Sequence, residues 1–224
     1  MDPGNFEEEL SYNSSDEVSD QLAEYTLEGK WQKVVKMYNK VPACHTAMIN
    51  GSVGTALHVA VDLDEEDVVY DLVNAVIGHR HEVKIKALEM VNDRGDTPLH
   101  VAASRGFAKI CRWIIGTKNE RIYLVSRKNK HGETPLFGAA INWKKQAFAY
   151  LSKVSGHSAP LQDLVRHNGD TILHCAIRRE YFGMFLIPIF CSCYILDHYF
   201  GMFRPLCYSF IRTLCNILSH YIDS

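Results

Sequence analysis

The stretch Gly95-Asp-Thr-Pro-Leu-His-Val-Ala-Ala103 decides the fold, because the chain repeats it. The other copies are Gly132-Glu-Thr-Pro-Leu-Phe-Gly-Ala-Ala140, Gly169-Asp-Thr-Ile-Leu-His-Cys-Ala-Ile177 and the shorter Gly54-Thr-Ala-Leu-His-Val-Ala60. Their threonines occupy positions 55, 97, 134 and 171, so the intervals are 42, 37 and 37 residues. A recurrent unit of this length is typical of repeat proteins, in which each unit buries its apolar face against its neighbours.

Each copy is predicted to begin a short helix. The threonine can cap the helix N-terminus, and proline is tolerated in the first turn because its missing N–H group would have no partner there. Small residues follow the motif and allow neighbouring helices to approach closely. They are Ala102, Ala103, Ala139, Ala140 and Ala176.

A second helix is predicted after each motif, since apolar residues recur there at spacings of three and four. The sets are Ile110, Trp113 and Ile114 in one unit and Ala147, Phe148 and Leu151 in the next. Polar connectors such as 91–95 and 126–132 contain the asparagine and glycine that tight turns require. Each unit is therefore predicted to be a turn followed by two helices.

A period in the thirties with a Thr-Pro-Leu-His-x-Ala core resembles the ankyrin-repeat family. The resemblance implies an all-α ankyrin-repeat solenoid of stacked helix-turn-helix units, about five of them, over residues 20–183. The first unit lacks the motif but contains Trp31, Val34, Val35, Met37 and Tyr38 as a second helix, and we expect it to cap the array. The last unit is also degenerate.

Three features resemble a plant group of ankyrin proteins: the long first interval with Asp62–Val73, the start Gly29-Lys-Trp31 and the stretch Asp170–Phe182. Typical members continue into a C-terminal transmembrane domain named for a Pro-Gly-Gly motif, and some act in defence or stress signalling. This sequence contains no Pro-Gly-Gly and leaves the pattern after Phe182. The chain is identified as a truncated or aberrantly spliced member.

The two ends differ from the repeats in composition. Residues 1–20 hold seven acidic residues and no Lys or Arg, and 1–19 are predicted to form a disordered acidic arm. Residues 184–224 form an apolar, Cys-rich tail, in which Met184–Leu196 gives 13 uncharged residues, against about 20 for a membrane-spanning helix. A short span, an interfacial membrane contact and an irregular cap on the array all remain open for this tail.

Charge and cysteine content restrict the partners and the compartment. The formal net charge of -2 provides no global basic field, so no nucleic-acid partner is predicted. The N-terminus lacks a signal-peptide profile, so the seven cysteines are expected to be free thiols in a reducing compartment. We expect the protein in the cytoplasm or at the cytosolic face of the plasma membrane.

No catalytic or cofactor site is predicted. His58, His100 and His174 occur once per repeat, too far apart to share a metal ion, and the resemblance implies that they hydrogen-bond within and between repeats. Cys191 and Cys193 near Asp197-His198 lack the further ligands and the nucleophile that a zinc or acyl-transfer site needs. Catalytic residues, cofactors and metal ligands are therefore all predicted to be absent.

The resemblance implies that partners bind in a concave groove formed by turn tips and the first helix of each unit. The matching positions are Asp93, Arg94, Asp96, Ser104, Arg105, Lys130, His131, Glu133, Ile141, Asn142, His167, Asn168, Asp170, Arg178 and Arg179. Residues 122–179 contain nine basic residues against three acidic ones, which favours an acidic protein or an anionic membrane surface.

The sequence thus predicts a non-catalytic protein-interaction module, an adaptor or scaffold in plant signalling. The alternative is a membrane-anchored ankyrin protein that acts in signalling or transport through its apolar tail. The function of such a module depends on surface positions that the fold leaves free, so the fold does not select the partner.

Overall fold

The computed structural model describes residues 15–78, 86–155, 165–171 and 175. Within these ranges the chain forms successive helix pairs. They are α1 Ser15–Leu27 with α2 Trp31–Lys40, α3 Ala56–Asp62 with α4 Glu66–Gly78, α5 Pro98–Arg105 with α6 Ala108–Ile115, and α7 Pro135–Ile141 with α8 Lys145–Ser155. Residues 86–89 are also helical, and 3-10 turns cover Pro42–His45 and Ile122–Ser126. Strands β1 Met48–Asn50 and β2 Gly54–Thr55 pair as one short antiparallel hairpin.

The helices stack in two layers. The first helices of the units, α1, α3, α5 and α7, pack side by side as an inner layer. The second helices, α2, α4, α6 and α8, pack on one another as an outer layer. This arrangement confirms the predicted all-α solenoid.

The core repeats with the sequence. In the outer layer Met37, Leu72, Ile114 and Leu151 occupy equivalent positions, eight residues after the bend of each unit, and all four are fully buried. Burying one such side chain contributes about 1.5–3 kcal/mol. In the inner layer Ala102, Ala103, Ala139 and Ala140 are also buried, as predicted for close helix contacts.

The predicted start of the array needs a correction. Helix α1 begins at Ser15, so residues 15–19 of the predicted disordered arm are helical. The reason is the spacing of Val18, Leu22 and Tyr25, which lie on one face and are all buried. The predicted second helix of this unit is confirmed as α2. The rest of the arm, 1–14, and the tail, 184–224, lie outside the described residues.

The bend between the two helices of each unit requires one residue with a positive φ. Gly29, Asp64, Gly106 and Trp143 occupy this position, and each accepts a hydrogen bond from the N–H group two residues later. The first three are residue types that tolerate this conformation. Trp143, at φ 62°, is a bulky residue in a left-handed conformation. The fourth unit is therefore strained at its bend.

Replacing Trp143 provides a measure of this strain. We expect Trp143→Gly to be more stable than Trp143→Ala by about 1 kcal/mol, because both variants lose the indole contacts but only alanine keeps a Cβ atom in the left-handed region. Urea unfolding of the two variants gives the difference directly. The same pair of substitutions at half-buried Phe107, which has a negative φ, should favour alanine.

Candidate partner-binding groove

Turn tips project beyond the inner helices, and asparagine side chains hold their shape. Asn92 Oδ1 accepts hydrogen bonds from the N–H groups of Arg94 and Asp96, at 3.0 and 3.1 Å. One repeat later Asn129 Oδ1 accepts from the N–H groups of His131 and Glu133, at 2.9 and 3.0 Å. These bonds satisfy backbone donors inside each turn and so fix the conformation of the tip.

Backbone hydrogen bonds join each tip to the next. The N–H group of Asp93 donates to Gly51 O at 2.8 Å, and that of Lys130 donates to Arg94 O at 3.1 Å. The N–H group of His167 donates to His131 O at 3.1 Å. The tips of four successive units therefore form a continuous wall beside the inner helices.

The repeated histidines join the inner helices to this wall. His58 Nδ1 accepts from the N–H group of Thr55 at 3.1 Å, and its Nε2 donates to Asp96 O in the next unit at 3.0 Å. His100 makes the same two bonds, with Thr97 at 3.2 Å and Glu133 O at 3.0 Å. The predicted role within and between repeats is thus confirmed for both. His174 lies outside the described residues.

Burial keeps these two histidines neutral. Burial lowers the pKa of His58 to about 4, although its hydrogen bond to the Asp96 backbone acts in the opposite direction. Burial also lowers the pKa of His100. Each ring is therefore uncharged at neutral pH, with the proton on Nε2, where it can donate across the repeat interface.

The fourth unit uses different chemistry at the same positions. Phe137 takes the place of the histidine, and Arg166 takes the place of the turn asparagine in the following unit. The Arg166 guanidinium lies 5.2 Å from the centre of the Phe137 ring and forms an ion pair with Glu133. A cation–π contact and an ion pair thus join the fourth and fifth units. At the equivalent positions one repeat earlier, His100 and Asn129 join the third and fourth units.

Glu133 was predicted to be an exposed partner contact, and the structure corrects this prediction. The residue is only 4% exposed. Its carboxylate accepts a hydrogen bond from Asn129 Nδ2 at 3.2 Å and pairs with Arg166, because the turns of adjacent units close around it. Glu133 therefore supports the wall from inside.

A groove of about 1090 Å³ runs between the wall and the inner helices. Most of the predicted partner residues line it: Arg94, Asp96, Ser104, Arg105, Lys130, His131, Ile141, Asn142, His167, Asn168 and the buried Glu133. Asp93 and Asp170 are not among the lining residues. Arg178 and Arg179 lie outside the described residues.

The groove also includes residues that the sequence prediction missed. Asp62 and Leu63 line it at positions equivalent to Ser104 and Arg105. Extending the repeat register to the second unit would have found both. Lys144 also lines the groove, from the bend that follows α7. The prediction considered only tips and inner helices and so omitted it.

Most charges in the groove are paired with one another. Arg105 binds Asp62 through two hydrogen bonds, of 2.7 and 2.8 Å. Arg94 lies 3.4 Å from the Asp96 carboxylate, and Arg166 pairs with Glu133. Among the described residues, the ammonium groups of Lys130 and Lys144 are the groove cations without an ion pair or hydrogen bond.

Comparison with known families agrees with this geometry. Residues 57–163 match the family model described as ankyrin repeats, in three copies. These residues are ankyrin repeats. A search of curated proteins gave no significant match. Ankyrin repeats are generally non-catalytic protein–protein interaction modules, so this ankyrin array is an interaction module whose expected partners are proteins.

The described part of the array also contains features that bear on metal binding, thiol reactivity and membrane insertion. No group of three or more His, Cys, Asp or Glu side chains there could hold a metal ion. Burial raises the pKa of the Cys44 thiol to about 11 and that of the Cys111 thiol to about 12, so these ankyrin thiols are not activated nucleophiles. No helix in the described ranges is long and apolar enough to cross a membrane.

Proposed function

We propose that the chain is an adaptor or scaffold that binds a protein partner in the groove. The observation that carries the proposal is the groove of about 1090 Å³, whose wall is held by backbone hydrogen bonds between tips. Within the described array, the side chains of Lys130, His131 and Lys144 on the groove make no hydrogen bond or ion pair. A fixed wall with unused polar side chains is suited to binding, since little conformational freedom is lost when a partner docks.

The biological setting is proposed from the resemblance to plant ankyrin proteins. On that basis the adaptor acts in defence or stress signalling, in the cytoplasm or at the cytosolic face of the plasma membrane. No nucleic-acid partner is proposed, since the groove offers two unpaired cations instead of an extended basic surface.

A second candidate function is favoured by the uncharged stretch Met184–Leu196. In this case the tail anchors the ankyrin array to a membrane, and the protein acts in signalling or transport there. Sedimentation of the full chain with membranes at alkaline pH, lost in a chain that ends at Phe182, would favour this function.

Site-specific crosslinking tests the groove. A photoreactive amino acid at position 142, on the groove, is expected to crosslink a specific protein in cells, because Asn142 is exposed there. The same amino acid at Lys153, exposed on the outer helix α8, serves as the control. Mass spectrometry identifies the adduct. Equal adducts from both positions, or none at position 142, would contradict the groove as the binding surface.

A further inference from the structure

We propose that the part of the groove between the third and fourth units binds an acidic segment of a protein partner, held by Lys130 and Lys144. This inference rests on the proposed function and names the chemistry of the partner. Five basic and three acidic residues line the groove, and each acidic residue has its own arginine. The two lysines are the cations that remain, and no acidic side chain of the described array pairs with them.

Both lysines are positioned by glycines of the preceding unit. A Cβ atom on Gly95 would lie 3.0 Å from Lys130 Cγ, and one on Gly106 would lie 2.9 Å from Lys144 Cδ. The lysine stems therefore lie directly against the backbone at the two ends of α5 in the third unit. Such contacts restrict the stems before binding, so less side-chain entropy is lost when an anion docks.

The two lysines lie on opposite sides of the groove. Lys130 is at a tip, Lys144 follows the bend, and the seven-residue helix α7 lies between them. A helix of that length measures about 10 Å, a distance that an extended peptide covers in about three to four residues. An extended segment crossing the groove can therefore present carboxylates to both ammonium groups.

The groove floor leaves space for such a segment. Inner-helix position 59 is valine, position 101 is valine, and the equivalent position in α7 is Gly138. A Cβ atom on Gly138 would meet a single atom within 4 Å, Ser104 Cβ at 3.9 Å. Gly138 thus leaves the floor without a side chain between the two lysines, where the partner backbone would approach most closely.

Peptide binding to the purified full chain tests the proposal. The probe is a dye-labelled peptide of about twelve residues that alternates glutamate with serine, so that the glutamates share one face of an extended strand. We expect binding at ~50 mM salt that weakens as salt screens the charges. The double variant Lys130→Gln, Lys144→Gln is expected to bind about tenfold more weakly, because it loses two partly exposed ion pairs with the peptide.

The matched control variant is Lys118→Gln, Lys153→Gln, which removes two exposed lysines outside the groove lining. It should bind the probe within about twofold of the natural chain. A glutamine–serine peptide should not bind. Circular dichroism and urea midpoints confirm that both double variants fold.

Three results would overturn the proposal: no binding of the glutamate peptide at low salt, equal losses in both double variants, or tighter lysine-dependent binding to phosphatidylserine vesicles or a single-stranded oligonucleotide. Crosslinking from position 142 distinguishes this failure from failure of the proposed function. A partner adduct there without binding of the acidic peptide would mean that the groove binds a protein of other chemistry.

Discussion

Lowering the pH from 7 to 4 is expected to reduce the free energy of unfolding by about 3 kcal/mol through His58 alone. Burial lowers the pKa of His58 to about 4 in the folded chain, against about 6.5 for an unfolded histidine. Between these values the unfolded state binds a proton that the folded state excludes. The stabilisation is therefore complete above pH 6.5 and is lost as the pH falls towards 4. His100, whose pKa burial also lowers, adds to the loss.

Urea unfolding at a series of pH values measures this effect. Each excluded proton contributes up to about 1.4 kcal/mol per pH unit to the slope of stability against pH. His58→Gln should lower the stability at pH 7, where its bonds to Thr55 and Asp96 are weakened, and should also reduce the slope between pH 6.5 and 4. The control is His131→Gln, at an exposed residue. An unchanged slope in His58→Gln would show that other groups cause the acid sensitivity.

Arg166→Met is expected to destabilise the array by about 3 kcal/mol, because it leaves the Glu133 carboxylate buried without its counter-charge. The Glu133 side chain is 5% exposed and that of Arg166 is 23% exposed. Glu133→Gln combined with Arg166→Met should recover much of the loss, since the neutral amide needs no cation. The measurement is a double-mutant cycle by urea unfolding at neutral pH.

The matched control is Arg105→Met, which breaks the pair with Asp62. There the side chains are 54% and 44% exposed, so solvent screens the charges, and we expect a loss of no more than about 1 kcal/mol. Similar losses for Arg105→Met and Arg166→Met, or additive effects in the cycle, would show that burial of Glu133 does not determine the energy of its pair.

The repeated helices could be predicted because each is specified locally. A threonine cap and an apolar spacing occur within single copies of the motif, and the structure places helices α3, α5 and α7 directly after Thr55, Thr97 and Thr134. Helix α1 has no such motif. Its acidic residues suggested disorder, and the tertiary contacts that bury Val18 outweigh that local signal.

The groove was predicted less completely, because it depends on contacts between residues of different repeats. Burial of Glu133 depends on Arg166, which is 33 residues further along the chain and whose position only the fold reveals. Lys144 lines the groove because its stem crosses to Gly106 of the neighbouring unit. The repeat register aligns equivalent residues but does not show which of them bridge two units.

The main-chain bonds that connect the tips determine how this wall can change through mutation. Asp93, Lys130 and His167 each donate through the backbone, so exchanging their side chains leaves the connecting bonds in place. Adding or deleting one residue in a turn would instead move the donor out of line with its acceptor. Substitutions at the tips can therefore create surfaces for new partners, whereas changes in turn length would break the hydrogen bonds that connect the tips.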